Sequence, residues 1–177
     1  MSGAPAVVLR ARVASDEDVL YRIAADLDTW EERGPSAPAP LTREAWNARL
    51  ARTDADESGD QVRFVIEADG APVGSIGLFG AERLAGHAEV GIALLPEARG
   101  RGIGTAAIEQ LLEFGFVRRN LRRIHLQAIE SNRGAIRAYE KAGFVLEGRL
   151  REHAYVRGRY EDLVLMGLLR SEWERRS

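Results

Sequence analysis

Residues 99–112 read RGRGIGTAAIEQLL and join a glycine-rich turn to an apolar segment of helical period. Gly100, Gly102 and Gly104 occupy every second position immediately before that segment. Glycine lets the backbone curl so that several N–H groups converge, and its missing side chain lets an anion touch them. The N-terminus of a helix adds partial positive charge at the same place. This stretch therefore predicts a strand–turn–helix unit that cradles a pyrophosphate.

The spacing of these glycines separates the turn from two common nucleotide-binding patterns. A dinucleotide fingerprint counted from Gly102 would need a glycine at Ala107, and no Gly-Lys-Ser/Thr sequence of a nucleoside-triphosphate loop follows. Arg99 and Arg101 add full positive charges to the turn. From these residues alone, a pyrophosphate site and a purely structural turn both stay open.

The composition indicates a globular domain of ordinary polarity. The chain has 177 residues, of which 45% are hydrophobic and 29% charged, so one domain with a substantial core is expected. It contains no run of 18 apolar residues and no signal-peptide pattern, which favours a cytoplasmic protein without a membrane partner. The absence of cysteine excludes disulfides, a thiolate nucleophile and a zinc–thiolate site.

Hydrophobic periodicity predicts strands and helices along the whole chain. The expected strands cover residues 7–11, 62–67, 73–79, 87–95, 123–129, 144–146 and 163–168, with a hairpin over 155–160 that pivots at Gly158. The expected helices start at an N-cap Ser15 and near Thr42, where Trp46 and Leu50 share a face, and cover residues 105–119 and 133–142. The proline-rich segment 34–40 is expected to be a loop. This order predicts a mixed sheet with helices on both faces.

Charge is distributed unevenly along the chain, although the formal net charge is only −2. Residues 15–60 contain twelve Asp and Glu against five Arg, whereas residues 99–177 contain sixteen Lys and Arg against ten Asp and Glu. Such a split is typical of a binding site whose two ends prefer opposite charges. The alternative is that exposed helix faces simply differ in their content of charged residues.

A second motif, residues 132–144 (NRGAIRAYEKAGF), follows the strand predicted at 123–129. Together with Arg99-x-x-Gly102-x-Gly104, it strongly resembles the GNAT superfamily of acyl-CoA-dependent N-acetyltransferases. The resemblance covers nearly the whole chain, and the C-terminal half resembles the branch of ribosomal-protein N-terminal acetyltransferases and bacterial spermidine acetyltransferases. It implies a single GNAT domain over residues 1–177, an α/β (α+β) fold with a mostly antiparallel sheet of about seven strands.

The resemblance also implies acetyl-CoA as cosubstrate and no metal. The role of holding the CoA pyrophosphate, mainly through backbone N–H groups, falls on Arg99, Gly100, Arg101, Gly102, Ile103, Gly104 and Thr105. The preceding strand usually splays from its neighbour and pairs with pantetheine, which implicates Ile92, Ala93 and Leu94. Asn132 matches a position that contacts the CoA arm, and it also fits a helix cap.

Tyr139 matches the usual general acid of the family, which protonates the departing CoA thiolate. A tyrosine with an ordinary pKa of about 10 carries its proton at neutral pH, as a donor requires. Glu89 is the candidate general base for the acceptor amine, since burial would raise its pKa usefully. His87 is a second candidate for proton relay. The alternative for Tyr139 is a tyrosine that only packs in the core, and the alternative for Glu89 is a surface residue of the strand without a catalytic role.

The implied reaction is acetyl transfer to a primary amine by direct attack, and the alternative is a CoA-binding regulatory domain without turnover. The acceptor is expected between residues 30–46 and 153–160, on a small molecule or a peptide. The acidic side chains of Asp26, Asp28, Glu31 and Glu32 favour cationic acceptors, because they raise the local concentration of a cation. No nucleic-acid partner is expected, and a homodimer is the expected assembly.

Overall fold

The computed structural model describes residues 5–33, 39–54 and 59–176, and they contain one seven-stranded sheet. Its strands are β1 (Val7–Arg10), β2 (Val62–Ala68), β3 (Ala71–Glu82), β4 (His87–Leu94), β5 (Arg123–Ile129), β6 (Val145–Val156) and β7 (Arg159–Leu169). They lie in the order β1-β2-β3-β4-β5-β7-β6. Only the β4–β5 pair of this sheet is parallel, which confirms the expected mixed, mostly antiparallel arrangement.

The helices that accompany the sheet are α1 (Glu17–Ala25), α2 (Leu27–Arg33), α3 (Arg43–Asp54), α4 (Ile103–Glu113), α5 (Arg133–Ala142) and α6 (Arg170–Glu174). The helix predicted over residues 105–119 begins two residues earlier and ends in a π-helical turn at Phe114–Arg118. None of the helices in the described ranges is long and apolar enough to cross a membrane. Most of the loop predicted at 34–40 lies outside the described residues.

Two neighbouring residues of β2 show that helices cover both faces of the sheet. Phe64 meets Phe114 edge to face at 5.1 Å between ring centroids, in the large core beside α4. Val65 points to the other face and packs with Trp46 and Leu50 of α3 in a smaller core. The alternation follows from the two-residue period of a strand. The prediction that Trp46 and Leu50 share a face of the helix is confirmed, and both residues are buried.

The first helix starts differently from the prediction. The hydrogen-bond acceptor at its beginning is the side chain of Asp16 and not that of Ser15. Ser15 lies inside a short 3₁₀ turn, Ala14–Asp16, that precedes α1. The buried carboxylate of Asp16 accepts hydrogen bonds from the Val13 N–H at 2.8 Å and from two Arg10 nitrogens at 2.7 and 2.8 Å. The bonds from Arg10 lower the pKa of Asp16 despite its burial. This pairing ties β1 to the start of α1.

The strand predicted at residues 144–146 is much longer in the structure. β6 runs for 12 residues and pairs with β7 through a hairpin whose turn contains Arg157 and Gly158, both with positive φ. β6 is an edge strand, and most of its residues are exposed. Only Ala154 and Val156 of this strand are buried, so most of it lacks the alternating pattern by which strands are predicted. The predicted pivot at Gly158 is confirmed.

Candidate active site

β4 and β5 pair over a short stretch and then diverge. Their parallel register runs only from His87–Arg123 to Glu89–His125, although both strands continue beyond it. A cavity of about 490 Å³ lies in this fork and is lined by both strands, the beginning of α4, one face of α5 and two residues of α2; we call it the fork cavity. Backbone groups of residues 90–94 therefore face the cavity without a partner strand on that side. The splay that the family resemblance implied is present.

The glycine-rich turn forms one end of the fork cavity. Gly100 and Gly102 have left-handed φ values of 72° and 81°, and a Cβ added to either would meet no atom within 4 Å. The first backbone hydrogen bond of α4 joins the Ala106 N–H to the Gly102 carbonyl at 3.1 Å, so the N–H groups of residues 103–105 have no acceptor within the helix. These donors converge beside open space, which suits an anion.

Most of the predicted site residues line the fork cavity. The lining contains Glu89, Ile92, Ala93, Leu94, Arg99, Gly100, Gly102, Gly104, Thr105, Asn132 and Tyr139. Two predicted residues do not belong to it. The side chain of Ile103 is fully buried in the core, which leaves only its backbone N–H for a ligand. Arg101 is half-exposed and lies 3.5 Å from the Asp69 carboxylate.

Arg99 connects the turn to α2 instead of standing free. Its guanidinium donates to the Thr29 hydroxyl at 2.7 Å and to the Glu32 carboxylate at 2.9 Å, and its Nε donates to the Leu94 carbonyl at 3.3 Å. The positive charge of Arg99 is thus already paired with a carboxylate. The turn therefore relies on its backbone donors more than on the flanking arginines.

Asn132 has the capping geometry that its sequence position allows. Its side-chain oxygen accepts from the Ala135 N–H at 3.2 Å, and its amide nitrogen donates to the Glu32 carbonyl at 3.4 Å. Further along α5, Arg137 and Lys141 also line the fork cavity, which the sequence analysis missed. Their spacing of four residues, which places both on one helix face, is the signal that could have found them.

Tyr139 is a core residue and a cavity residue at once. Its side chain is 5% exposed, and its ring meets Phe144 edge to face at 5.7 Å. Because the same residue lines the fork cavity, packing holds the ring while part of the residue faces the open space. Such a locked ring can present a hydroxyl in a fixed place.

Glu89 stands at the last paired position of the fork, opposite Phe79 on β3 and His125 on β5. It is half-buried, and this burial raises the pKa of its carboxyl group. Burial also lowers the pKa of His125, whose ring lies 5.4 Å from that of His87. Nδ1 of His87 is buried and has no hydrogen-bond partner within the described residues. No group of three or more metal-ligating side chains occurs in that same part of the chain.

The acidic side chains of α2 are engaged by arginines. Asp28, Glu31 and Glu32 lie 3.2, 3.7 and 3.3 Å from the guanidinium of Arg157, at the tip of the β6–β7 hairpin. Thr29 and Glu32 of the same helix line the fork cavity, a contribution that the sequence analysis did not assign to them. The two segments predicted to border the acceptor are thus joined by ion pairs.

Comparison with known proteins supports the same family along most of the chain. The acetyltransferase (GNAT) domain model matches residues 6–145. Spermidine N(1)-acetyltransferase of Escherichia coli strain K12 is 32% identical over 111 residues, which are 63% of this chain and 60% of that protein. A putative ribosomal N-acetyltransferase of Bacillus subtilis is 33% identical over 129 residues, 73% of this chain and 67% of that protein.

The fold extends further than these alignments. The crystal structure of spermidine N-acetyltransferase from Vibrio cholerae in complex with CoA and spermine superposes with a TM-score of 0.86 and 25% identity, over 95% of this chain and 98% of that one. A dodecameric structure of the Vibrio cholerae enzyme has a TM-score of 0.77 and 28% identity, with 97% and 98% coverage. The chain therefore belongs to the GNAT family of acetyltransferases.

Proposed function

We propose that this protein transfers the acetyl group of acetyl-CoA to a primary amine by direct attack of the amine on the thioester. The observation that carries this proposal is the fork cavity, which is lined by Tyr139 and Glu89 and closed at one end by the glycine-rich turn. The named relatives support it, since one is a spermidine N(1)-acetyltransferase and another is named a ribosomal N-acetyltransferase.

The chain's own groups suit the proposed cosubstrate. The N–H groups of residues 103–105 and the open space at Gly100 and Gly102 fit the negative oxygens of a pyrophosphate. The unpaired backbone edge at Ile92, Ala93 and Leu94 can hydrogen-bond the amides of pantetheine. Bound acetyl-CoA supplies the reactive acetyl thioester. Asn132, on the neighbouring helix, would contact the CoA arm.

Proton transfer is assigned to two side chains of the fork. Glu89 takes the proton of the acceptor amine, directly or through water, and its raised pKa makes it a better base than an exposed glutamate. Tyr139 donates a proton to the departing sulfur. The amine nitrogen forms a bond to the acetyl carbon while the carbon–sulfur bond breaks. No cysteine is present to carry the acetyl group in between.

The acceptor is a primary amine on a small molecule or a peptide. A polyamine is supported by the spermidine acetyltransferases among the relatives and by the acidic side chains of α2. However, Arg157 offsets part of the charge of Asp28, Glu31 and Glu32 and so weakens their attraction for a cation. We propose a homodimer, supported by the long exposed edge strand β6 and the oligomeric Vibrio cholerae enzyme, and a cytoplasmic location.

The test is the release of CoA thiol by the purified protein with acetyl-CoA and a panel of primary amines. Thiol release that requires an amine, with an equal amount of N-acetylated amine detected by mass spectrometry, is the expected result. If acetyl-CoA binds but no amine is acetylated, the alternative of a CoA-binding regulatory domain is correct.

A further inference from the structure

A second cavity, of about 580 Å³, lies between α1, α3 and β2 and is rich in arginine. Arg12, Arg49 and Arg63 line it, together with Trp30, Trp46 and Ser75, and we call it the arginine cavity. Among the described residues that line it there is no Asp or Glu. The cavity therefore combines aromatic walls with positive charge, which is the lining expected for an anionic group on an organic molecule.

Two of the three arginines have aromatic partners instead of carboxylates. The guanidinium of Arg49 lies 5.8 Å from the Trp30 ring centroid, and that of Arg63 lies 5.0 Å from the Phe79 centroid. Within the described part of the chain, neither forms an ion pair, whereas Arg12 lies 3.0 Å from Glu17. Arg49 and Arg63 therefore keep their positive charge available for an anion from outside the described part of the chain.

Arg49 and Arg63 place charges of the same sign close together in the arginine cavity. Both are exposed residues, yet partial desolvation and the nearby charge of Arg49 lower the pKa of Arg63. The side chain of Trp46 is 5% exposed, and its indole N–H is buried without a hydrogen-bond partner in the described residues. An unpaired buried donor is rare, and an ordered water or a ligand atom can satisfy it. An anionic ligand would relieve the repulsion between the two arginines and would introduce acceptor atoms beside Trp46.

The strand register connects this cavity with the reaction centre. Arg63 of β2 pairs with Gly77 of β3, and Gly77 pairs with Gly91 of β4. Glu89 is two residues from Gly91 on β4, so Arg63 and Glu89 lie on the same face of the sheet. Two strand spacings and two residues along a strand place the Cα atoms of Arg63 and Glu89 roughly 12 Å apart. A Cβ at Gly91 would lie 3.0 Å from the Phe79 ring, so this ring covers the sheet between Arg63 and Glu89.

We propose that the arginine cavity binds a carboxylate of the acceptor while the amine of the same molecule lies at Glu89. This inference rests on the proposed function. An extended tripeptide spans about 10 Å from its amine to its carboxylate, which matches the separation of the two places. The acceptor class is therefore an amine with a carboxylate about three residues away, such as a short peptide with a free C-terminus or a peptide N-terminus followed by an acidic side chain. A second ammonium group there would be repelled by Arg49 and Arg63.

The experiment compares Ala-Ala-Ala with its C-terminal amide and with spermidine as acceptors, in saturating acetyl-CoA. The wild-type protein is expected to use the free acid with at least a tenfold higher kcat/KM than the amide, because a charge-assisted hydrogen bond carries about that much binding. Arg63→Gln and Arg49→Gln should each reduce kcat/KM for the free acid toward the value for the amide, through KM.

Arg52→Gln is the matched control, because Arg52 is exposed on the same helix as Arg49 and does not line the cavity. It should keep the wild-type preference for the free acid. Equal kcat/KM values for acid and amide in the wild type, or a preference that survives both Arg63→Gln and Arg49→Gln, would overturn the inference and leave the proposed function standing. Failure to acetylate any amine would overturn the proposed function, and the inference with it.

Discussion

The fork cavity and the arginine cavity both offer positive charge, but they provide it by different means. In the fork cavity the donors beside the glycine-rich turn are backbone N–H groups at the start of α4, and Arg99 is paired with Glu32. Arg137 and Lys141 of α5 add side-chain charge further along the lining. In the arginine cavity the charge comes from the side chains of Arg49 and Arg63, which belong to α3 and to β2, the strand that follows it. The first site depends on local backbone geometry and the second on tertiary packing.

This difference decides how each site tolerates substitution. Backbone N–H donors are lost to a ligand only when the turn changes shape or a side chain blocks it. Substitution of the glycines in the turn should therefore have the largest effect on binding in the fork cavity. Side-chain donors can be removed one at a time without altering the chain's course. Variants at the fork should therefore affect the chemistry or CoA binding, while variants at the arginine cavity should affect the choice of acceptor.

The largest effect is expected from Tyr139→Phe, which keeps the ring that packs against Phe144 and removes the hydroxyl. Loss of a general acid typically costs roughly 10²-fold or more in turnover. We expect kcat to fall by that amount while the dissociation constant of acetyl-CoA, measured by calorimetry, stays the same. Unaltered turnover would show that another group protonates the thiolate.

Glu89→Gln should reduce turnover by up to roughly 10²-fold near neutral pH and change the shape of the pH profile. A raised pKa means that the carboxyl group takes up its proton at a higher pH than an ordinary glutamate, so the active base is lost earlier as pH falls. The wild-type kcat should therefore fall on the acidic side of the profile at a higher pH than an ordinary glutamate would give, and this fall should be absent from the variant. An identical profile for both proteins would exclude Glu89 as the base.

Gly102→Val tests whether the turn holds the pyrophosphate. A valine at φ 81° is strained, and its side chain would occupy the open space beside the α4 donors. Each charge-assisted hydrogen bond lost costs about 1.5–3 kcal/mol, so acetyl-CoA should bind roughly 10- to 100-fold more weakly.

Gly80→Val is the control for that variant, because Gly80 also has positive φ and open space but lies outside the fork cavity. It should lose thermal stability through the same backbone strain and bind acetyl-CoA with wild-type affinity. Equal affinity of Gly102→Val and wild type in calorimetry would refute the phosphate assignment.

The smallest effect is expected from Arg157→Gln, which frees the carboxylates of Asp28, Glu31 and Glu32. Exposed ion pairs are weak, so kcat/KM for spermidine should rise only a few-fold at low salt, and screening should remove the gain as salt increases. Glu31→Gln/Glu32→Gln should lower the same value. A wild-type protein that already prefers spermidine to Ala-Ala-Ala would contradict the division of roles between the two cavities.

The sequence predicted the fork better than the arginine cavity for a physical reason. The turn at residues 99–105 and the cap at Asn132 are local patterns, so they could be recognised without knowledge of the fold. Arg63 and Arg49 look like ordinary solvated positions in the sequence, and only the packing of α3 against β2 brings them together. The ion pairs of Arg157 with α2 were hidden in the same way, since they join residues more than a hundred positions apart.

Hydrogen exchange of the backbone amides, with and without acetyl-CoA, tests the central claim most directly, because it reports on both cavities at once. We predict that acetyl-CoA slows exchange in peptides that cover residues 90–94 and 100–105, at the fork, and leaves peptides that contain Arg49 and Arg63 unchanged. Protection that appears around Arg49 and Arg63 and spares the glycine-rich turn would contradict the assignment of the fork cavity to acetyl-CoA.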